Sequence, residues 1–259
     1  FKDLQITFQR PFEGLLEAFK KPLTALETIF KRAKSLKLEV FSSVFSESGL
    51  ALLENLGVSA YKIASQECCD LPLVRAVART GKPMVVSTGM ASLSEISDTV
   101  NAIKNSGNQD FVLLKCTSNY PADPKDSNVT TLNNMRETFG CEVGLSDHTM
   151  GVGAAIAAIA CGATVIEKHF TLSREDGGVD STFSLEPHEM KLLTTESERA
   201  WQSLGIVHYG PVGSEAKSAK YRRSLYVVKD IKKGEQFTEE NIRSIRPGFG
   251  LHPKYYKDT

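Results

Sequence analysis

The chain alternates short runs of apolar and β-branched residues with longer stretches in which apolar residues recur every three or four positions. Short apolar runs are typical of buried strands, and the three-to-four spacing is typical of amphipathic helices. Strands are predicted at residues 38–45, 60–65, 83–89, 111–119, 141–147 and 164–170. Helices are predicted between them, among others at residues 48–56, 71–79, 93–106 and 153–161. Strands that alternate with helices indicate successive βα units around a parallel sheet.

A closed barrel of this kind needs eight βα units, and the sequence shows six. The first 36 residues offer mainly a helix, at residues 23–36, and do not provide two strands. Pro187 marks the start of an amphipathic helix that ends at Gly205 and would close the barrel. We therefore predict an α/β fold, a TIM (β/α)8-type barrel without its first two strands, and we expect the chain to begin inside a larger protein.

The pattern divides the chain into three parts. Residues 1–205 are assigned to the partial barrel, and residues 206–223, rich in glycine, serine and charge, are typical of a linker. From residue 224 the pattern changes to a strand, a turn at KDIKKGE, a capping-type turn at FTEENI and a second strand. Residues 224–259 thus predict the start of a small β-rich domain that is too short to form a core of its own.

Composition and charge disfavour several classes of function. Lysine plus arginine and aspartate plus glutamate number 31 each, so no net charge attracts nucleic acid or an anionic membrane. The five cysteines show no CxxC zinc spacing, which favours reduced thiols. The sequence starts without a basic-then-apolar signal, and its longest small-apolar run, residues 152–166, is too short to span a bilayer. We expect a soluble cytoplasmic protein that holds any anionic ligand through local contacts.

Each predicted strand ends in polar residues, although parallel barrel strands are covered on both sides and should be apolar. A serine or threonine after a strand often only begins a turn, but six polar strand ends together favour a site at the barrel mouth. Lys62 supports such a site, because a buried lysine needs an anionic partner such as a bound carboxylate or phosphate. The polar strand ends are Ser42, Ser43, Lys62, Ser65, Glu67, Ser87, Thr88, Thr117, Ser118, Asn119, Tyr120, Ser146, Asp147, His148, Glu167, Lys168 and His169.

His148 and His169 end the last two predicted strands. Neighbouring parallel strands lie about 4.8 Å apart, so both imidazoles could reach one ion. Two imidazoles with oxygen donors and open water positions suit Mn²⁺ or another first-row divalent ion that acts as a Lewis acid. Asp147 and Glu167 can each be a metal ligand, an orienting partner of a ligand or a substrate contact, and spacing leaves these roles open. Cys116, also at a strand end, is interpreted as core packing.

Eight ordered motifs carry a resemblance to a known family. They are FSSVF, AYKIASQE, GKPMVVSTGM, LLKCTSNYP, GLSDHT, IEKHFT, GGVDSTFSLEP and RRSLYVVKDIKKGE with IRPGFG. Together they resemble the sialic acid synthase family, from about residue 38 to about residue 250. Members of this family condense phosphoenolpyruvate with an amino sugar to make nine-carbon nonulosonic acids. Within the family, GGVDSTFSLEP and CTSNYP are most similar to the pseudaminic acid synthase branch.

The resemblance implies a (β/α)8 barrel followed by an antifreeze-like (SAF) domain, usually assembled as a domain-swapped homodimer. In such dimers the small domain covers the partner's barrel mouth, and Arg246, in IRPGFG, matches the arginine that reaches the sugar. The family's first two strands, with a glutamate in an AEIG-type motif and a lysine in a VKxQ-type motif, have no counterpart in this sequence. We therefore expect that the sequence as given is not a complete catalyst.

The resemblance also implies a role for each matching residue. The residues implied in catalysis are Glu67, Tyr120, Asp147 and Glu167. The residues implied in substrate binding are Lys62, Ser65, Ser87 and Ser146 for phosphoenolpyruvate, and Ser118, Asp180 and Arg246 for the sugar. His148 and His169 match the metal ligands, and the implied cofactor is Mn²⁺, Mg²⁺ or Co²⁺.

The implied reaction joins C3 of phosphoenolpyruvate to the aldehyde carbon of an open-chain acetamido sugar and releases phosphate. The favoured sugar is 2,4-diacetamido-2,4,6-trideoxy-altrose, which gives pseudaminic acid. Three alternatives are an N-acetylneuraminate or legionaminate synthase that uses N-acetylmannosamine or a related sugar, another phosphoenolpyruvate-condensing barrel that makes a shorter keto sugar acid, and an inactive carbohydrate-binding family member. The intact Lys62, His148 and His169 argue against the last alternative.

Overall fold

The structure, a computed structural model, describes residues 21–257, with side chains from Leu26 onward in the first helix. The chain divides into two compact units, which meet in the sequence between Gly205 and Ile206. The strands of the first unit are β1 (Ser42–Ser43), β2 (Tyr61–Ile63), β3 (Met84–Ser87), β4 (Phe111–Cys116), β5 (Glu142–Asp147) and β6 (Val165–Lys168). Its helices are α1 (Lys21–Ser35), α2 (Glu47–Leu56), α3 (Leu71–Ala78), α4 (Leu93–Asn105), α5 (Thr131–Phe139), α6 (Gly153–Ala160) and α7 (Pro187–Leu204).

The six predicted strands all form, each inside its predicted range, and the predicted helices form as α1, α2, α3, α4, α6 and α7. Helix α5, which buries Leu132, Met135 and Phe139, has no counterpart in the prediction, because no side-chain cap marks its start. The prediction for residues 1–20 lies outside the described residues.

The six strands form one parallel sheet in the order β1 to β6, so strands that are neighbours in sequence are neighbours in space. The sheet curls into a half-barrel, as predicted, and in the described part of the chain β1 and β6 are its edges. Because all six strands run in one direction, their carboxyl ends meet at one rim.

Side-chain caps fix the helix starts and anchor the loops that leave this rim. Ser92 Oγ accepts a hydrogen bond from Glu95 N, and the Glu95 carboxylate accepts one from Ser92 N at 2.7 Å, a capping box that begins α4. Ser46 and Asp70 cap α2 and α3. Each such cap stabilises a helix by about 1 kcal/mol.

Among residues 21–257, no helix combines the length and apolar character that crossing a bilayer requires.

The second unit contains β7 (Ser224–Val227) and β8 (Ile242–Ile245), which pair in antiparallel orientation. Between them, Glu235 N donates to Lys232 O at 3.0 Å and Thr238 N donates to Asn241 Oδ1 at 2.7 Å, which forms the two predicted turns. Leu225 and Ile242 are the buried apolar side chains in residues 206–257. In the described part of the second unit, the buried apolar set is therefore small.

Gly144 of β5 lies opposite Val165 of β6 at a very close approach. A Cβ on Gly144 would lie 2.2 Å from Val165 O and 2.7 Å from Leu114 Cδ2. The carbonyl of a paired strand cannot move far without disturbing the sheet. We therefore expect Gly144→Ala to lower the free energy of unfolding by about 1–3 kcal/mol, the usual cost of overpacking a core. Urea unfolding followed by circular dichroism measures this change.

Gly153→Ala is the matched control for this prediction. Gly153 begins α6, and a Cβ there would meet nothing within 4 Å. Because alanine favours helix more than glycine does, we expect this variant to be neutral or to gain up to about 1 kcal/mol. Equal destabilisation in both variants would contradict the close packing of β5 on β6 at Gly144.

Candidate active site

The polar ends of the strands lie together at the rim, and most of them are buried. A buried polar group costs free energy unless it is bonded to a neighbour or to a ligand, so such a cluster marks a candidate site. The residues in it with at most 8 % of their surface exposed are Lys62, Ser65, Ser87, Thr88, Ser146, Asp147, His148, Thr149, Glu167, Lys168 and His169.

Lys62 of β2 lies at the centre of a network that reaches across the inside of the half-barrel. Its Nζ donates to Ser87 Oγ at 2.7 Å and lies 3.3 Å from Glu167 Oε2. Ser146 Oγ donates to Glu167 Oε1 at 2.7 Å. The anion that the burial of Lys62 requires is therefore supplied by the protein itself, in Glu167. Glu167 Oε2 accepts no hydrogen bond from the described residues, so it can still accept one from a bound molecule.

His148 and His169 lie side by side, with ring centroids 5.1 Å apart. His148 Nδ1 faces Thr117 O at 2.9 Å, and because a carbonyl only accepts, this nitrogen carries a proton, so in the neutral ring Nε2 keeps a lone pair. Burial lowers the pKa of His148, but its contacts with Cys116 and Thr117 O outweigh burial and raise this pKa. His169 Nδ1 lies 3.6 Å from Asp180 Oδ2, and among the described residues its buried Nε2 has no hydrogen-bond partner. Burial, together with the neighbouring His148, lowers the pKa of His169 to about 4, so its ring is neutral at pH 7.

In each of the two imidazoles, one nitrogen faces a fixed oxygen and the other nitrogen is available. Such a pair is a fitting donor set for a divalent ion.

Cys116 lies beside the histidine pair. It is buried, as predicted for core packing, and its Sγ lies 3.9 Å from His148 Nδ1. Burial raises the pKa of Cys116, but contacts with His148, Ser65 and Ser118 outweigh it and bring this pKa to about 7.

Asp147 and Glu167, which the sequence leaves equivalent, occupy different surroundings. Asp147 Oδ2 accepts a hydrogen bond from Lys168 Nζ at 2.8 Å, and Oδ1 accepts one from Thr149 N at 2.8 Å. Side chains alternate between the two faces of a strand, so Glu167 shares the inner face with His169, and Asp147 lies on the other face. Glu167 is thus the acid that faces the histidines.

Aromatic rings border the histidine pair. The Tyr120 ring lies 4.3 Å from the His148 ring, and the buried Phe183 ring lies 5.0 Å from the His169 ring, centroid to centroid. Burial, followed by the nearby negative charges of Cys116, Asp180 and Glu167, raises the pKa of Tyr120 to about 12. Its hydroxyl is therefore neutral and can donate a hydrogen bond.

The loops after β2, β3 and β4 converge at Gly89. A Cβ on Gly89 would lie 2.5 Å from Ser65 Oγ and 2.6 Å from Ser118 Oγ, so the absence of a side chain lets these loops close together. Glu67 follows Ser65 on the first of these loops, and burial raises the pKa of its carboxyl. Glu67 Oε2 is buried and has no hydrogen-bond partner among the described residues. Glu67 can thus hold a proton close to the site.

Glu186, His188 and Glu189 form a second group of possible metal ligands, with ligand atoms within 4.8 Å of one another. His188 is 75 % exposed, and Arg174 already pairs with both acids, with Nη1 3.7 Å from Glu186 Oε2 and Nη2 bonded to Glu189. Glu186 and Glu189 also form the capping box of α7. These groups serve to start a helix, and the buried histidine pair is the better candidate for a metal site.

Arg246, predicted to bind the sugar, follows β8 in the second unit and is exposed. The other predicted site residues belong to the first unit. The role of Arg246 in sugar binding stays a prediction.

The model of the NeuB family matches residues 7–209 of the chain, and the model of the SAF domain matches residues 222–259. The chain belongs to the NeuB family. A pseudaminic acid synthase of Helicobacter pylori is 41 % identical over 251 residues, which cover 95 % of this chain and 74 % of that protein. An N,N'-diacetyllegionaminic acid synthase of Campylobacter jejuni is 36 % identical over 247 residues, which cover 94 % of this chain and 74 % of that protein.

Solved structures agree with this membership of the NeuB family. The crystal structure of N-acetylneuraminic acid synthetase from Leptospira borgpetersenii, in complex with citrate, has a TM-score of 0.71 at 34 % identity, over 77 % of this chain and 70 % of that chain. The comparisons confirm the predicted family, the barrel fold and the SAF domain.

Sequence reasoning gave no role to Lys168, Thr149 or Phe183. Lys168 was visible among the polar strand ends, but one-dimensional spacing does not show that it bonds to Asp147. Phe183 was visible only as part of the GGVDSTFSLEP motif. Lys168 and Phe183 are both placed by long-range packing, which a single sequence does not report.

The Lys62–Glu167 pair generates a stability prediction. Lys62→Met leaves Glu167 buried without its cation, and we expect the free energy of unfolding to fall by about 3–5 kcal/mol. Lys62→Met with Glu167→Gln removes both charges and should recover most of that loss. Urea unfolding of the three proteins measures the difference.

Lys82→Met is the control, because it breaks the partly exposed Lys82–Glu54 pair and should cost much less. A Lys62→Met variant as stable as the starting protein would show that the interior pair is not desolvated as the structure indicates.

Proposed function

We propose that this chain is a nonulosonic acid synthase, an enzyme that condenses phosphoenolpyruvate with an open-chain acetamido sugar and releases phosphate. One observation carries the proposal: two imidazoles with available nitrogens and the Lys62–Glu167 network lie at the same barrel mouth. Membership of the NeuB family and 41 % identity to a pseudaminic acid synthase support it.

Four side chains would bind phosphoenolpyruvate. An ammonium and several hydroxyl donors suit its phosphate and carboxylate. Lys62 Nζ and Ser87 Oγ are 2.7 Å apart, so these two donors converge on one point. Ser146 extends the same donor surface toward β5, and Ser65 extends it along the loop after β2.

His148 and His169 would hold a divalent ion, Mn²⁺, Mg²⁺ or Co²⁺. When bound, such an ion supplies Lewis-acid polarisation of the sugar aldehyde. The protein's part is to present two imidazole nitrogens in a site that Tyr120 and Phe183 shield from water on one side.

The bond changes assign proton roles to two acids. C3 of phosphoenolpyruvate forms a bond to the aldehyde carbon, and the aldehyde oxygen takes up a proton, which Glu67 can give because burial raises its pKa. Water then adds at the electron-poor C2, and Glu167, through Oε2, accepts the proton of that water. The C2–O bond to phosphate then breaks while the C2 hydroxyl gives its remaining proton to the leaving phosphate, so inorganic phosphate leaves and a 2-keto acid remains.

The sugar would lie against Tyr120, Ser118 and Asp180 at the outer edge of the site. We propose 2,4-diacetamido-2,4,6-trideoxy-altrose as this sugar and pseudaminic acid as the product, supported by the identity to the Helicobacter pylori protein. The identity of 36 % to a legionaminic acid synthase supports the second candidate, a legionaminate or N-acetylneuraminate synthase.

The assembly we propose is a domain-swapped homodimer in the cytoplasm. In this proposal residues 1–205 would belong to the barrel part, residues 206–223 to the linker and residues 224–259 to the small SAF part. Arg246 of one protomer would then contact the sugar in the barrel of its partner. The supporting observation is that Arg246 is exposed directly after β8, where its side chain can reach another surface.

Phosphate release from phosphoenolpyruvate tests the proposed reaction. The protein from the complete reading frame is assayed with a panel of amino sugars, with added Mn²⁺ and after chelation. We expect turnover with the 2,4-diacetamido-trideoxy sugar, and only with a divalent ion present. Turnover with N-acetylmannosamine alone would make the pseudaminate assignment wrong, and no phosphate release with any sugar would contradict the synthase proposal.

The histidine pair gives the next prediction. His148→Ala and His169→Ala should each remove metal-dependent phosphate release and leave the circular dichroism spectrum unchanged, because both side chains lie at the rim and not in the apolar core. His188→Ala removes the exposed imidazole of the second cluster and should retain activity. Retained metal dependence in both rim variants, or its loss in His188→Ala, would contradict the two-histidine site.

A further inference from the structure

The last two residues of β5 and β6 form two consecutive cross-strand pairs. Ser146 lies opposite Glu167, and Asp147 lies opposite Lys168. His148 and His169 follow directly, one residue beyond the ends of the two strands, with ring centroids 5.1 Å apart. Because side chains alternate between the two faces, Ser146 and Glu167 face the inside with the two histidines, and the Asp147–Lys168 pair faces the surrounding helices.

The Asp147–Lys168 pair is buried and fully bonded. Lys168 Nζ lies 2.8 Å from Asp147 Oδ2, with both side chains 1 % exposed. Thr149 N donates to Asp147 Oδ1 at 2.8 Å, and Lys168 Nζ also donates to Thr149 O. Asp147 and Thr149, the residues on either side of His148, are thus both bonded to Lys168, the residue that precedes His169.

An ion pair is not needed at this position for stability. On the same face of β5, Val143 and Leu145 are buried apolar residues, and Ile166 precedes Lys168 by two residues on β6. Replacing a buried ion pair by apolar residues of similar volume is often neutral or stabilising. What Asp147 and Lys168 add is a set of directional bonds to the backbone of Thr149, which an apolar pair cannot make.

We propose that Asp147 and Lys168 are positioning residues that hold the His148 and His169 imidazoles at the separation that one divalent ion requires. They act through the backbone around His148 and contact neither the ion nor the substrates. This inference rests on the proposed two-histidine metal site. It also gives Asp147 a different role from Glu167, which faces the reacting groups.

The decisive variant is the apolar double substitution Asp147→Leu with Lys168→Met. It keeps the buried volume and removes the bonds to Thr149. Removing the two buried charges offsets the loss of the bonds to the buried Thr149 N and O, so we expect a thermal midpoint close to that of the starting protein. Its Mn²⁺ dissociation constant should rise by about 10- to 100-fold, the range found when outer partners of metal ligands are removed. The two quantities are measured without substrates, by thermal unfolding and by Mn²⁺ titration with electron paramagnetic resonance. A purely structural pair would change the first quantity and not the second.

The matched control is Glu196→Leu with Arg199→Met, which removes an exposed ion pair on α7. We expect no change in the Mn²⁺ dissociation constant for this variant. His148→Ala should abolish Mn²⁺ binding. If His148→Ala binds Mn²⁺ as the starting protein does, the metal site itself is wrong, and the positioning role is overturned with it.

The positioning role alone would be overturned by two results together. The apolar double variant would fold and bind Mn²⁺ with an unchanged dissociation constant, and the His148→Ala variant would not bind Mn²⁺. If the double variant does not fold, Asp147→Asn with Lys168→Met takes its place, because it leaves no buried charge without a partner. An amide oxygen at position 147 can still accept the hydrogen bond of Thr149 N, and the bonds from Lys168 Nζ to Asp147 and Thr149 are removed. We expect about tenfold weaker Mn²⁺ binding for it, and unchanged binding in this folded variant would also overturn the proposal.

Discussion

The parallel register of β5 with β6 is the constraint on which the candidate site depends. It places Ser146 opposite Glu167 and Asp147 opposite Lys168. A slip of one residue would exchange the inner and outer faces of one strand, because the side-chain period of a strand is two. The inner bond of Ser146 to Glu167 and the outer pair would then both be lost. The close contact of Gly144 with Val165 helps to hold this register.

Two buried cations are each matched by a buried acid, and the two pairs differ in how completely they are bonded. Lys62 and Glu167 face the inside, where Glu167 Oε2 accepts no hydrogen bond from the described residues. Lys168 and Asp147 face outward, and both oxygens of Asp147 are engaged. A pair with an available acceptor can serve a ligand, and a saturated pair can only hold its neighbours. This difference separates the proposed chemical role of Glu167 from the proposed positioning role of Asp147.

Most elements of the first unit could be predicted because their signals are local. The strand at 111–119 begins with the apolar run FVLL, the strand at 141–147 has apolar residues at alternate positions (Cys141, Val143 and Leu145), and α4 begins at a serine followed by a glutamate three residues later. Helix α5 was not predicted because its start has no side-chain cap and its first turn, Thr131 with Asn133 and Asn134, consists mainly of weak helix formers. The strands are also shorter than predicted, because the hydrogen-bond ladder between them stops where the chain turns into the loops at the rim.

By itself, the sequence determined the succession of βα units, the polar strand ends and the presence of two histidines on neighbouring strands, because periodicity and strand order are properties of the chain. Only the tertiary structure decided which acid faces those histidines, that Glu167 supplies the anion for Lys62, and that Lys168 bonds to Asp147. It also brought Asp180 and Phe183 back to His169 from a loop that follows β6. These contacts depend on register, burial and the folding of loops onto the rim, and none of them follows from spacing along one chain.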